Sequence, residues 1–484
     1  MCLTFLLLGA IIVLMFGKNR LNRGELSLTT RPLFGKIILF ALPLMLSGIL
    51  QLLYNATDII VLGQYGSDAS AGAVGSTTAL ITLMTNIFIG LSVGASSAAA
   101  RWIGSGNQER LEKVAHTSIC VALISGIVIG IVGVTCSKYF LMWMNVPENV
   151  LPLSTEYLRI LFVAMPFGFV YNFASALLRA QGDTRHPLLF LFLAGIINVS
   201  LNLIFVIVCK MDVAGVALGT VCAQAVAATL SVVYLIKHNG PCKLYIKKLK
   251  VDKEALIEII KIGLPAGIEG SIFSISNVVI QSAINSFGDL VLTANTEAAS
   301  IEGFIYVSMN SVSQACLTAT SQNYGACKSN NIDRAVISSL VITTTIGLVM
   351  GLTAYFACDY IMLLFTNNPE IIAIAKERLL AIATSYCLCG IMEIVVAMMR
   401  GMGHSFAPMI VSLVGVCGFR IIYVYTVFKA YNTLLVLYLS YPISWLITTI
   451  VHSIFLIFVR KKEYKKIDEV MHSADKISAG TSAV

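Results

Sequence analysis

The stretch from Val114 to Ser137 reads VAHTSICVALISGIVIGIVGVTCS, a run of 24 residues without Asp, Glu, Lys or Arg. A transmembrane helix needs about 20 consecutive, mainly apolar residues to cross the hydrocarbon core of a bilayer. The run is continuous and does not alternate between apolar and polar residues, as the strands of a membrane barrel do. It therefore predicts a membrane-spanning α-helix.

The composition of the whole chain agrees with this segment. The 484 residues are 57% hydrophobic and 12% charged, whereas an average soluble domain has about 25% charged residues. This excludes a soluble protein of this size, and also disordered, collagen-like, coiled-coil and disulfide-rich secreted chains. Reading the apolar runs predicts twelve spans, near 36–62, 71–100, 114–137, 152–178, 188–209, 214–236, 256–285, 294–323, 335–358, 371–399, 408–428 and 434–459.

Lys and Arg residues are unevenly distributed between the segments that flank these spans. Alternate segments hold 26 of the 33 Lys and Arg residues, and the intervening loops hold only Lys138, Lys210 and Lys429. Arg159, Lys376 and Arg378 are expected near helix starts on that same side. Cytoplasmic loops of membrane proteins carry an excess of positive charge. We therefore predict that the basic segments and both ends of the twelve-helix body are cytoplasmic.

The chain is internally repeated, because four pairs of motifs recur at offsets of 221 or 222 residues. Each half contains six predicted spans, so both halves start on the same side of the membrane. Such parallel repeats are related by an axis along the membrane normal, which predicts two six-helix bundles suited to alternating access. The pairs are Ala41-Leu42-Pro43 with Gly263-Leu264-Pro265, Gly104 with Gly325, Asn145-Val146-Pro147-Glu148 with Asn367-Asn368-Pro369-Glu370, and Arg179-Ala180-Gln181-Gly182 with Arg400-Gly401-Met402-Gly403.

The repeat divides the chain into five predicted segments. An N-lobe at 36–237 and a C-lobe at 256–459 are joined by a cytoplasmic linker at 238–255, and a cytoplasmic tail follows at 460–484. Residues 1–35 form an N-terminal segment with a short apolar run. That run either forms an extra helix or precedes a translation start at Met15.

Asp58 is the clearest functional candidate, because an ionisable group within a membrane span is costly and is a functional hypothesis by default. Ser47, Gln51, Asn55 and Asp58 follow at helical spacing, which lines one helix face with polar groups. A carboxyl group in apolar surroundings is disfavoured in its charged form, so it suits reversible binding of H⁺, or of Na⁺ if neighbouring oxygens complete the shell. The alternative is a structural carboxylate that bonds to neighbouring helices.

Three polar residues of spans five and six are candidates for the same site. Asn198 and Asn202 lie four residues apart on one helix face, and Thr220 lies in the next span. Their oxygens could bind a cation with Asp58 or orient its proton, although such residues also form interhelical hydrogen bonds. Asn172 in span four and Asn86 in span two are weaker candidates.

The second half carries different charges within its spans, which we assign to a substrate cavity together with Gln51, Tyr54, Asn55 and Asn172 of the first half. Glu269 lies in span seven, on a helix whose polar face includes Asn277. Glu302 and Glu393 lie in spans eight and ten, and Arg420 lies in span eleven. An unpaired Arg is hard to sustain at this depth, so we expect at least one acid to pair with Arg420. The remaining acids would give the cavity a negative balance, which favours cations.

Other functional classes have no support in the sequence. There is no phosphate-binding loop, zinc-protease motif or nucleophile elbow, so neither an enzyme nor a cofactor is expected. The basic runs 237–261 and 460–466 indicate topology and contacts with membrane lipids rather than nucleic acid. The cysteines lie mainly within apolar runs and are interpreted as small apolar fillers.

Taken in order, several motifs resemble the multidrug and toxic compound extrusion (MATE) family, in a bacterial DinF-like branch. The resemblance covers roughly residues 30–460. Its motifs are Ala41-Leu42-Pro43, Leu53-Tyr54-Asn55-Ala56-Thr57-Asp58 with Gly63, Gln322-Asn323-Tyr324-Gly325-Ala326, Leu178-Arg179-Ala180-Gln181-Gly182-Asp183 and Met399-Arg400-Gly401-Met402-Gly403.

The resemblance implies export of organic cations or amphipathic compounds across a bacterial plasma membrane, in exchange for H⁺ or Na⁺. Asp58 matches the carboxylate that binds the coupling ion in this branch, and Asn198 and Thr220 match its helper positions. The resemblance also places Gln51 and Tyr54 beside Asp58. Asn202 departs from the pattern, since related transporters commonly have Asp there, which favours H⁺ over Na⁺.

We therefore predict a monomeric secondary active antiporter that takes up H⁺ at Asp58 and releases a small-molecule substrate. The nearest alternative is a lipid-linked oligosaccharide flippase of the same superfamily. Such flippases tend to have a basic cavity for pyrophosphate, whereas Arg420 is the only basic residue expected deep in the membrane.

Overall fold

The computed structural model describes residues 26–67, 70–144 and 146–481. The predicted extra helix and the alternative start at Met15 lie outside the described residues. The described chain is helical, and no β-strand occurs within these three ranges. In the first half, α1 is Leu33–Tyr65, α2 Ser70–Ser105, α3 Gln108–Trp143, α4 Leu151–Ala180, α5 Arg185–Leu203 and α6 Asp212–Lys237.

The second half begins after a polar connection that contains a single 3₁₀ turn, Ile246–Lys248. Several of its predicted spans are assembled from shorter pieces. The helices are α7 Lys253–Asn285, α8 Asp289–Gly325, α9 Ser329–Phe356, α10 Cys358–Met362, α11 Pro369–Ala381, α12 Tyr386–Gly401, α13 Phe406–Ser412, α14 Phe419–Tyr423, α15 Lys429–Tyr431 and α16 Leu434–Thr481.

The all-helical membrane fold predicted from the sequence is confirmed. Ten helical segments of the described chain are long and apolar enough to cross a membrane. Helices α7 and α8, with 33 and 37 residues, complete the set of twelve.

Spans five, ten and eleven are less regular than continuous helices. Span five ends in a π-helical segment, Ile204–Val208. Span ten consists of α11 and α12, joined through the 3₁₀ turn Ala383–Ser385. Span eleven contains two π-helical segments, Leu413–Gly418 and Val424–Phe428, on either side of α14. The hydrophobic pattern could not predict these irregularities, because an apolar run remains apolar when one extra residue is inserted into it. Short π-helical segments are frequent at functional sites.

The chain folds into two compact units. Among the described residues, the first comprises 26–27, Leu42–Ala99 and Asn107–Ile259, and the second comprises Leu28–Ala41, Ala100–Gly106 and the chain from Ile260 onward. Helices α1 and α2 therefore each contribute to both units. The limits predicted from the sequence for the lobes, linker and tail stay predictions.

Small residues bring α3 and α4 close together within the first unit. A Cβ atom added to Gly126 would lie 2.5 Å from the Pro166 Cα atom, and one at Gly133 would lie 2.1 Å from the Phe162 ring. Membrane helices use such residues because lipid and protein interiors are equally apolar, so close packing stabilises their association. The fold of the first unit therefore depends on glycine at these positions.

The core of the second unit lies between α8, α11, α12 and α16. It contains Met309, Leu379 and Met392, together with the aromatic side chains Tyr438 and Trp445, all at most 4% exposed. The two methionines fill irregular gaps well, because their side chains are unbranched and flexible. The aromatic residues bring a polar hydroxyl or indole group into an otherwise apolar core.

One pair of repeated glycines makes a reciprocal contact within the second unit. A Cβ atom at Gly104 would lie 1.9 Å from the Gln322 carbonyl oxygen, and one at Gly325 would lie 1.9 Å from the Arg101 carbonyl oxygen. The ends of α2 and α8 thus cross at equivalent positions of the repeat. Their backbones can approach so closely only because both positions lack a side chain.

We predict that Gly104→Ala destabilises the protein by about 1–3 kcal/mol, because the new methyl group forces two backbones apart. The matched control is Gly75→Ala in the same helix, where no other atom lies within 4 Å of the added Cβ. That change should be neutral or stabilising, since Ala is the better helix former. Thermal unfolding of the detergent-solubilised protein at one scan rate compares the two. Equal melting temperatures for both variants would contradict the contact.

Candidate functional site

The first unit encloses a cavity of about 560 Å³. Its wall is built by α1, α2, α4, α5 and α6, and it combines apolar, aromatic and uncharged polar side chains. Asp58 is the single charged residue among the described lining residues. Eight sequence-predicted residues line this cavity together: Gln51, Tyr54, Asn55, Asp58, Asn86, Asn172, Asn198 and Thr220.

The polar face predicted for α1 points into this cavity. Gln51, Asn55 and Asp58 follow at intervals of four and three residues, so a helix brings their side chains to one side. Tyr54 lies on the same side and also lines the cavity. Ser47, the first residue of the predicted stripe, instead donates to the Pro43 carbonyl oxygen within its own helix.

Asp58 is buried, with 9% of its surface exposed. Its Oδ1 atom accepts a hydrogen bond of 2.6 Å from the Asn202 Nδ2 atom. Within the described part of the chain, this amide is the only hydrogen-bond donor to the Asp58 carboxyl group, and no Lys, Arg or His pairs with it. The structure therefore holds a membrane-buried carboxyl group without a cationic partner from those residues.

A chain of hydrogen bonds leads from α6 to this carboxyl group. The Asn198 Nδ2 atom donates to the Thr220 hydroxyl at 3.3 Å, and the Asn202 Nδ2 atom donates to Asn198 Oδ1 at 3.4 Å. Asn202 is fully buried and lies behind the cavity wall rather than on it. The four residues predicted to form the ion site, Asp58, Asn198, Asn202 and Thr220, are thus brought together.

The orientation of the Asn202 amide is fixed by close packing against Gly219. A Cβ atom at Gly219 would lie only 2.1 Å from Asn202 Oδ1. That oxygen is buried and has no hydrogen-bond partner among the described residues. A buried unsatisfied acceptor costs about 1–3 kcal/mol, so the arrangement is retained at the expense of stability.

Aromatic side chains form much of the remaining wall. The Tyr54 hydroxyl donates to the Leu191 carbonyl oxygen at 2.9 Å, and its ring packs where a side chain at Gly195 would lie. Phe169 lines the cavity and stacks on Phe88, with ring centroids 4.3 Å apart. Such a wall offers flat apolar surfaces to a ligand.

Several lining residues were not predicted from the sequence. Thr78, Thr82 and Thr85 line the cavity from α2, and their helical spacing is a signal that would have found them. Gln224 also lines it and follows Thr220 by four residues, a spacing that would have found it. Tyr157 lines it too, but lies among polar and charged residues near the start of α4, where periodicity gives no indication. Asn86, a weaker candidate, is a lining residue as well.

The expectation that an acid pairs with Arg420 is wrong. Glu302 pairs instead with Arg378, through two hydrogen bonds of 2.9 Å, and Arg378 also donates to Asn295 at 2.7 Å. Arg378 is 6% exposed, so Arg420 is not the only deep basic residue. The sequence prediction treated Arg378 as part of a helix start, whereas α11 carries it almost to the 3₁₀ turn inside span ten.

Arg420 is held by hydroxyl and aromatic groups. Its Nε atom donates to the Ser444 hydroxyl at 3.0 Å, and its guanidinium group lies 4.2 Å from the centre of the Tyr441 ring and 5.7 Å from that of Trp445. A guanidinium group over an aromatic face is stabilised by the negative potential of the ring. This arrangement replaces the expected ion pair.

The predicted negative balance of the second half is also wrong. Glu269 accepts hydrogen bonds from Arg400 at 2.6 Å and from Ser412 at 2.8 Å. With Glu302 paired as well, Glu393 and Arg420 are left, and their charges are opposite. Asn277 is exposed on α7. Glu269, Asn277, Glu302, Glu393 and Arg420 belong to the second unit and do not line the cavity of the first.

No group of three or more His, Cys, Asp or Glu residues is placed to hold a metal ion within the ranges that the structure describes. Among the predicted ion-site residues, Asn198 and Thr220 have side-chain oxygens that a monovalent cation at Asp58 could use. The Asn202 oxygen is turned towards Gly219, and its nitrogen faces the carboxylate. The site is therefore better arranged to donate to a carboxylate than to surround a cation.

Known proteins resemble the chain over most of its length. It is 28% identical to the probable multidrug resistance protein YoeA of Bacillus subtilis, over 88% of this chain and 94% of that protein. It is 23% identical to the multidrug export protein MepA of Staphylococcus aureus, over 79% and 84%. A transporter of the MOP superfamily from Pyrococcus furiosus shares the fold, with a TM-score of 0.85 and 22% identity over 91% and 98%.

The model of the MatE family matches two segments, residues 43–204 and 265–426. The segments begin 222 residues apart, which is the spacing of the repeated motifs, so each half of the chain carries one copy. Together they cover more than half of the sequence. The chain therefore belongs to the MatE family of multidrug efflux transporters.

Proposed function

We propose that this protein is a secondary active antiporter that exports organic cations or other amphipathic compounds in exchange for H⁺. The observation that carries the proposal is the buried Asp58 carboxyl group, which opens into the cavity of the first unit without a cationic partner among the described residues. The relatives named as multidrug resistance and multidrug export proteins support the direction of transport.

The chemistry of the cavity supports an amphipathic cargo. Its wall is largely apolar and aromatic, with amide and hydroxyl groups between, and Asp58 supplies one negative charge. Ligand pockets of this kind bind flat apolar compounds through many weak contacts and orient them by a few polar groups. A positive charge on the cargo can be attracted to the Asp58 carboxylate and to aromatic faces.

The hydrogen bonds around Asp58 support H⁺ as the coupling ion. Na⁺ would need several oxygen atoms, whereas the nearest side chain presents an amide nitrogen at 2.6 Å. A proton needs only a free oxygen of the carboxyl group itself. Neutralising Asp58 would remove the charge that holds a cationic cargo, and we propose that α1, α2, α5 and α6 then repack.

In this proposal, H⁺ and a cationic cargo compete for the Asp58 carboxyl group, and this competition couples their transport. If protonated Asp58 binds a cationic cargo less tightly, then bound cargo must equally disfavour protonation, because binding linkage is reciprocal. Alternating access converts this competition into exchange of the two species. The proposed transporter works as a monomer in a bacterial plasma membrane, with both ends of the helical body cytoplasmic and without a cofactor.

The flippase alternative is not favoured. An anionic pyrophosphate headgroup needs basic residues, and the described lining of this cavity contains no Lys or Arg. Arg378 and Arg400 lie in the second unit and pair with Glu302 and Glu269. The charge of the first-unit cavity thus suits a cation better than an anion.

We predict that Asp58→Asn abolishes efflux of ethidium from membrane vesicles under an imposed pH gradient, because the amide cannot take up a proton. The matched control Asp289→Asn removes an exposed acid at the start of α8 and should leave efflux unchanged. A sodium gradient imposed instead of the pH gradient should drive little efflux by the unsubstituted protein. Full efflux by Asp58→Asn at normal expression would refute the role of this carboxyl group.

We predict that Gly219→Ala lowers the transport rate about 10-fold, because the methyl group displaces the Asn202 amide and weakens its bond to Asp58. The control is Gly63→Ala, where no atom lies within 4 Å of the added Cβ. Efflux rates measured between pH 6 and 8 should show a changed pH profile for Gly219→Ala only. An unaltered rate and profile would show that the Asn202 amide does not position Asp58.

We predict that Asn202→Asp makes transport responsive to a sodium gradient, because two carboxyl groups this close either share a proton or bind a cation together. Asn172→Asp is the control, since it adds an acid to the same cavity wall outside the hydrogen-bonded chain. Efflux under a sodium gradient compares both variants with the unsubstituted protein. Equal sodium responses in the two variants would contradict a specific pairing of residues 58 and 202.

A further inference from the structure

A second cavity, of about 360 Å³, lies in the second unit where the beginning of α1 faces the first turns of α9. We call it the arginine groove, because two arginine side chains line it and no acid is found among its described lining residues. Like charges on one small cavity repel each other, so an anion between them would be stabilising. The groove is lined by Arg31, Pro32, Leu33, Phe34, Arg334, Ile337 and Ser338.

The chain segment that carries Arg31 is fixed before α1 begins. The Leu28 N–H group donates to the Gln322 side chain at 3.2 Å, and the Leu28 carbonyl oxygen accepts from the Asn323 side chain at 2.9 Å. The Asn331 side chain donates to the Thr29 carbonyl oxygen at 3.0 Å. The groove is therefore a built feature rather than a chance meeting of mobile side chains.

The same buried amide orients the first arginine. Asn331 is 8% exposed, and its Oδ1 atom accepts from the Arg31 Nε atom at 3.3 Å. This bond leaves the terminal nitrogens of Arg31 for a ligand, and Arg334 follows Asn331 by about one turn of α9. The nearby acid Asp333 is already engaged by Arg460, through bonds of 3.0 and 2.8 Å.

Exposed apolar side chains continue from the groove along both helices. Phe34 and Ile38 of α1 are 48% and 43% exposed, and Ile337 and Val341 of α9 are 60% and 52% exposed. Each pair is four residues apart, so it forms a stripe on one helix face. A ligand that contacts both the arginine groove and the two apolar stripes has an anionic head and a long apolar tail.

We propose that the arginine groove binds the phosphate of an anionic phospholipid, with its acyl chains along the two apolar stripes. Guanidinium groups bind phosphate oxygens in pairs, and this geometry adds strength and specificity. A free phosphate ion would contact the two arginines but not the apolar stripes. A membrane lipid would contact both, so it explains more of this surface. The predicted orientation places the groove at the cytoplasmic leaflet.

The test is a titration of the purified full-length protein with dioleoyl phosphatidylglycerol, in which native mass spectrometry counts bound lipid. The double variant R31Q/R334Q should bind this lipid about 10-fold more weakly, because each basic residue near a surface contributes modestly to lipid attraction. The matched control K138Q/K429Q removes two exposed charges that lie outside the basic runs interpreted as lipid contacts and should change binding less than twofold. The single variants R31Q and R334Q should each show part of the loss.

Four results would overturn the proposal. Unchanged lipid binding in R31Q/R334Q would remove the groove as the site, and equal loss in K138Q/K429Q would show that overall charge decides. Competition by glycerol 1-phosphate at the same concentration as the lipid would assign the groove to a free phosphate. Phosphatidylcholine should bind more weakly than phosphatidylglycerol to the unsubstituted protein, and equal binding would refute recognition of negative charge.

Discussion

A single hydrogen bond from Asn202 to the Asp58 carboxyl group is the interaction on which the candidate site depends. A charged carboxylate inside a membrane is costly, and one amide offsets only part of that cost. The proposed function requires this group to exchange between its charged and neutral forms. Gly219 makes the hydrogen bond possible, since any side chain there would displace the amide.

The two halves of the chain still share a packing contact between repeated glycines, but their buried acids are no longer equivalent. The reciprocal contacts of Gly104 and Gly325 preserve the repeat at the level of backbones. The buried acids of the two halves differ in their partners. Glu302 and Glu269 pair with Arg378 and Arg400, whereas Asp58 has no such partner among the described residues. Duplication thus supplied the frame, and a buried carboxyl group without a cationic partner among those residues lies in the first unit.

Much of the fold and part of the site could be predicted from the sequence, because both follow helical periodicity. The face of Gln51, Asn55 and Asp58 was predicted correctly, and so was the meeting of Asp58 with Asn198, Asn202 and Thr220. Arg378 was missed because span limits estimated from hydropathy cannot show how deep a long basic side chain lies. Tyr157 was missed because it lies among polar and charged residues near the start of α4, where no periodic pattern marks a side chain that faces the cavity.

The proposed site has one exchangeable charge, and this bears on what can drive transport. Exchange of one proton for one monovalent cation at Asp58 moves no net charge across the membrane. The pH gradient would then supply the driving force, and the membrane potential would contribute little. A neutral cargo would differ, because the incoming proton would carry its charge across the potential, worth about 2.3 kcal/mol per 100 mV. The charge of the cargo therefore decides whether one or both parts of the proton gradient power export.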